Sequence, residues 1–96
     1  MTDLEKVHRD YRAAFLRYLP RREEVALHVG YKLGRSAVAD GLSILDLVQV
    51  HHDVFLEVLA DTKGEDLTGV STAASEFLLE VLAPYDMAHR GVLPRS

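Results

Sequence analysis

Residues 24–46 read EVALHVGYKLGRSAVADGLSILD, and two features of that stretch decide the architecture. Apolar residues return at helical steps, with Val25, Val29 and Leu33 on one side and Leu27, Tyr31 and Val38 on another. Asp40 and Gly41 then break the pattern, because glycine readily takes the left-handed backbone that closes helices. Ser43, with Asp46 three residues later, is an N-cap pattern. The stretch predicts a helix over about 22–40 and a second helix from 44. So short a connection predicts that the two pack as an antiparallel pair.

Upstream, Thr2 and Glu5 form a capping-box pattern, and Leu4, Val7, Tyr11, Ala14, Phe15 and Tyr18 recur at steps of three and four. This pattern predicts a helix over about 3–19, stopped by Pro20, which has no N–H to donate and restricts the residue before it. Glu23 and Glu24 favour the positive end of the next helix.

Downstream, Ile44, Leu47, Val48, His51, Val54, Phe55, Val58 and Leu59 are expected on one inward face of a helix that ends near 62. The glycines and polar residues of 63–70 predict a loop. Ser71 or Thr72 then caps a helix over about 72–90, whose inward stripe is Ala74, Phe77, Leu78, Val81, Tyr85 and Ala88. Pro84 lies within it and is expected to kink it without ending it. No segment alternates with the period of a strand. The expected fold is all-α: one domain over 1–96, an up-down four-helix bundle that dimerises.

The chain has 96 residues, 48% of them hydrophobic and 27% charged, a balance that supports one core and excludes a disordered chain. It contains no cysteine, which removes disulfides and thiolate metal sites. Neither a secretory signal nor an apolar run of bilayer length is present, so a cytoplasmic protein without membrane contact is expected. The net charge of -4 argues against nucleic acid as a partner. Arg17, Arg21 and Arg22 cluster around the first chain break, where a solvated helix end is the expected role.

Two stripes on the helix of 24–40 exceed what one neighbour needs. Leu79 and Ala83 show the same excess on the last helix, opposite its main stripe. Either a neighbouring helix or a second polypeptide must cover the second stripe of the helix of 24–40, and protein contacts are expected on both apolar faces.

Chemistry is poorly supported. Of five histidines, His51 sits on an apolar stripe, where a buried, hydrogen-bonded imidazole is the ordinary outcome. No two histidines stand four residues apart on one helix, so a helical zinc site has no ligand pair. Ser36, Ser43, Ser71 and Ser75 suit caps and close packing better than nucleophilic attack. Gly30 and Gly34 fall mid-helix, where they permit close contact at about 1 kcal/mol each. No catalytic, cofactor or metal site is expected. A histidine phosphotransfer domain using His52 is the competing class, although the residues after His52 lack the usual Lys and Gly. A purely structural dimerisation module is the other alternative.

The order Leu33, Gly34, Arg35, Ser36, Ala37, then Gly41 to Asp46, then Val50, His51 and His52 resembles the N-terminal domain of RsbU-type phosphoserine phosphatases. Phe77 to Glu80, Pro84 to Met87, Arg90 and Gly91 extend the resemblance over nearly the whole chain. The helical domain of the clock protein KaiA is similar in architecture. The resemblance implies a homodimeric, non-enzymatic regulatory domain of bacterial stress signalling, which docks a switch kinase of the RsbT type and controls a serine phosphatase. It also implies a docking face on the second and last helices, carried here by Glu24, Leu27, His28, Leu79 and Ala83. In that family the last helix commonly runs on toward a coiled-coil linker, whereas Gly91 and Pro94 are expected to close it here.

Overall fold

A computed structural model describes residues 4–91. Among these all regular structure is helical: α1 Leu4–Tyr18, α2 Glu24–Ala39, α3 Ile44–Ala60 and α4 Leu67–His89, with a single 3-10 turn at Gly64–Asp66 before α4. Thr2 and Pro94, expected as cap and stop, lie outside the described residues.

The connections follow local chemistry. Gly41 takes a φ of 75°. Its N–H bonds to the Val38 carbonyl and the N–H of Leu42 reaches back to Ala37, which is the Schellman closure. Ser43 then caps α3, its hydroxyl oxygen accepting from the Leu45 N–H at 3.1 Å. Gly91, with φ 80° and its N–H bonded to the Ala88 carbonyl, ends α4 with the same left-handed residue. The break after α1 uses Arg22, a non-glycine residue at φ 51°.

Two expectations fail at α4. It begins at Leu67 and not near 72, so much of the expected loop is helix. Thr72 is no cap: its hydroxyl donates to the Thr68 carbonyl one turn back. Glu65 and Asp66 instead occupy the 3-10 turn that leads in, where carboxylates favour the start of a helix. The weak helix propensity of Thr68 and Gly69 is overridden by packing one turn later, since Ala73 and Ala74 are buried in the core. Pro84 is buried within α4, and the helix continues past it to His89.

The core centres on Phe77, whose ring is inaccessible. Tyr11, Phe15 and Tyr18 of α1 surround it with ring centroids 5.3, 5.6 and 5.8 Å away. Leu47, Val50 and Val54 bring α3 onto the same cluster.

The order of neighbours departs from a simple bundle in which consecutive helices pack. α2 packs on α1 and most extensively on α4, and α3 packs on α1 and α4, while α2 and α3 do not pack on each other despite their short link. Contacts between α2 and α4 advance in step: Arg22, just before α2, reaches Gly69, Gly30 meets Phe77, and Gly34 meets Val81. The two helices therefore run in the same direction. Their approach needs the two glycines. A β-carbon at Gly34 would stand 2.0 Å from the Val81 carbonyl oxygen, and one at Gly30 would stand 2.8 Å from the Phe77 ring.

Candidate functional site

The expected surplus on α2 is resolved largely inside the molecule. Val38 is buried, and Leu27 and Tyr31 are half-buried. Tyr31 also reaches across the seam, its hydroxyl donating to Met87 Sδ at 3.6 Å. The neighbour that covers this stripe is α4, so a second chain is not required there. On the other side of α2, Val29 and Leu33 line a groove with Val7 and Ala14 of α1, whereas Val25 is 72% exposed.

The five residues of the expected docking face are placed as follows. Glu24 lies exposed in the first turn of α2, and His28 is exposed one turn on, its ring stacked on Tyr31 with centroids 5.9 Å apart. Leu27 is half-buried. On α4, Leu79 is 70% exposed and Ala83 is half-buried. Ala83 lies between Val81 and Pro84, the two residues that face Gly34. The Tyr31–Met87 bridge links the His28 side of α2 to α4, so His28, Tyr31 and Met87 lie along one margin of the α2–α4 seam. Leu79 is the outlying apolar side chain of the five.

Below this margin a polar cluster fastens the α1–α2 turn to α4. Glu76 accepts the Tyr18 hydroxyl at 3.0 Å and pairs with Arg22 at 3.6 Å, and Arg22 also donates to the Gly69 carbonyl. Burial, and then the hydrogen bond to Glu76, raise the Tyr18 pKa. Of the arginine cluster expected to be a solvated helix end, Arg22 thus has internal partners, while Arg21 lies within 4.0 Å of Glu23.

His51 behaves as its stripe predicts. It is half-buried and hydrogen-bonded through Nδ1 to the Tyr11 hydroxyl at 2.8 Å. Burial, and then the neighbouring His52, lower its pKa and favour the neutral ring. His8 and Arg12 of α1 both approach Glu57 of α3, at 3.4 and 2.9 Å. Tyr85 ties α4 to the α2–α3 turn, donating to the Leu42 carbonyl at 2.8 Å; burial, with the charge of Asp46, pushes its phenol up to about 12.

Among the described residues no cluster of three metal-ligating side chains exists, and no buried side-chain polar atom lacks a partner. No described helix is long and apolar enough to cross a membrane.

The apolar surface that sequence reasoning missed lies on α3. Ile44 and Val48, expected inward, are 43% and 38% exposed, and Leu45 and Leu56 are 77% and 50% exposed. The reason is rotational: the core takes Leu47, Val50 and Val54, so the inward face is turned away from Ile44 and Val48. The signal was available in the apolar positions of α3, which spread around the helix beyond what a single face can hide. His52 lies exposed on this outer side.

Residues 9–88 match the family model of the N-terminal domain of the phosphoserine phosphatase RsbU. No curated protein and no solved structure matches the chain.

Proposed function

Since the chain belongs to the family of RsbU N-terminal domains, we propose that it acts in the cytoplasm as a docking and dimerisation module, binding a switch kinase of the RsbT type. Family membership itself implies a regulatory domain of a phosphatase in stress signalling, as opposed to the catalytic domain. The docking face is the α2–α4 margin, with Glu24, Leu27, His28, Leu79 and Ala83 in contact with the partner.

One observation supports this placement above all: Leu79 stands 70% exposed on α4, the helix that forms the core seam with α2. Covering the rest of its side chain contributes about 1–2 kcal/mol. Leu27 and Ala83 add a shallow apolar floor, the flat His28–Tyr31 stack gives a rigid shoulder, and Glu24 supplies a rim charge. A kinase seated here presses on two helices whose backbones are nearly in contact at Gly34. Binding therefore fixes α2 and α4 as one body, and α4 carries the change in orientation toward an effector.

Calorimetric titration of the chain with such a kinase tests the reading. Replacing Leu79→Lys is expected to weaken binding about tenfold or more, the equivalent of about 1.4 kcal/mol, with the helical circular dichroism unchanged. An affinity indifferent to that substitution would falsify the docking face.

A further inference from the structure

Exposed apolar side chains elsewhere on the molecule are scattered, each among charged neighbours: Leu16 beside Arg12 and Arg17, Val25 beside Glu24, Leu79 beside Glu80. On α3 they form a row. Leu45, Val48, His52, Phe55 and Leu59 succeed one another at alternating steps of three and four, the spacing of a coiled-coil seam, with Leu56 alongside. Leu45, Val48, His52 and Leu56 are exposed and Phe55 and Leu59 half-buried. No charged residue interrupts the row. The helix has no Lys or Arg at all, and its carboxylates, Asp46, Asp53 and Glu57, lie on another side, turned about 120° or more from the seam at 100° per residue. Arg12 and His8 already engage Glu57 on that side.

We propose that this row is the self-association surface, on which α3 pairs antiparallel with α3 of a second copy about a two-fold axis through His52. The occupant is argued from self-complementarity and area. In that register Leu45 meets Leu59 of the second copy, Val48 meets Leu56, and His52 meets its own counterpart, so each exposed leucine and valine of the row finds an apolar partner. The carboxylate rows face away, so no like charges are opposed. A basic helical partner would find no acidic rim beside the seam to recognise. The 17 residues of α3 form a rod about 25 Å long, and pairing two such rods buries on the order of 1,000 Å² in all, the lower range of specific interfaces. The pairing is accordingly reversible and concentration-dependent. It rests on the dimerisation reading above and assigns that role to a face distinct from the kinase-docking margin.

The test uses the whole 96-residue chain, which has no native cysteine. Sedimentation equilibrium is expected to show a monomer–dimer balance that shifts at least tenfold toward monomer in Leu45→Glu and in Leu56→Glu, both exposed and with helicity retained. Under mild oxidation His52→Cys forms a covalent dimer, Leu45→Cys alone does not, and a mixture of the Leu45→Cys and Leu59→Cys variants does. A monomer at every concentration, a dimer indifferent to Leu45→Glu and Leu56→Glu, or cross-linking at residue 45 as fast as at residue 52 overturns the proposal. Kinase titration keeps the two readings apart. Leu79→Lys weakens kinase binding while leaving self-association intact, and Leu45→Glu does the reverse at the level of one kinase per chain.

Discussion

α2 and α3 both carry more apolar surface than one packed side can use, and they dispose of it in opposite ways. α2 lies between α1 and α4, so Val29 and Leu33 turn to one and Val38 to the other. The two glycines of α2 let α4 come close enough to receive the second stripe. α3 also meets α1 and α4, yet its contact is confined to the Leu47, Val50 and Val54 side, and Leu45, Val48 and Leu56 remain in solvent. The difference teaches that surplus hydrophobicity on a helix does not by itself imply a partner. What decides is whether a second neighbour can approach, and small residues govern the approach.

The largest effects should arise where α2 is sealed. Phe77→Ala removes the ring at the centre of the core and is expected to cost about 3–5 kcal/mol in urea unfolding. Gly34→Ala is expected to cost about 2–4 kcal/mol, since the new methyl meets the Val81 carbonyl, which belongs to backbone and cannot turn aside. Gly30→Ala should be milder, below about 2 kcal/mol, because the Phe77 ring can shift and alanine recovers helix propensity worth about 1 kcal/mol. If Gly34→Ala proves neutral, the close approach of α2 and α4 is not what encloses the second stripe.

A smaller effect separates the inner and outer sides of α3. The His51 pKa is lowered in the folded state, so only well above the ordinary value of 6.5 is the ring uncharged whether folded or not. As pH falls below the ordinary value of 6.5, the unfolded chain takes up a proton before the folded one does, and stability declines until the folded pKa is passed. Urea midpoints measured between pH 7.5 and 5 should fall in the native chain more than in His51→Gln. Equal slopes would mean that the Tyr11–His51 contact carries no linkage. The smallest effect belongs to the outer side, where Leu45→Gln and Leu56→Gln should change the stability of the monomer by less than about 0.5 kcal/mol. A larger loss would place those leucines in the core.

Much of the fold is legible from local chemistry. Pro20, Gly41 and Ser43 set boundaries because each acts through its own backbone or one short hydrogen bond. The start of α4 is not legible in that way, since Thr68 and Gly69 are weak helix formers and only the buried Ala73 and Ala74 draw the preceding turn into the helix. The pairing of α2 with α4 is likewise nonlocal. Gly30 and Gly34 announce a close neighbour, and nothing in 24–46 says that it comes from 67–89 and not from the adjacent helix. The candidate residues on the docking margin are placed by family likeness. Periodicity finds Leu79 and misjudges the stripe of Leu27, Tyr31 and Val38, because a period reports that a face is apolar without reporting what covers it.

The juxtaposition of Gly34 with Pro84 carries one more consequence. The ring of Pro84 comes within 3.2 Å of the place a β-carbon of residue 34 would take, so a missing side chain on one helix accommodates a residue that offers no amide hydrogen on the other. Vacancy and intrusion are halves of a single joint, contributed by segments fifty positions apart. Enlarging residue 34 should be resisted even alongside a smaller residue at 84, because the Val81 carbonyl occupies the same space and belongs to backbone, so position 34 can drift only if the two helices part.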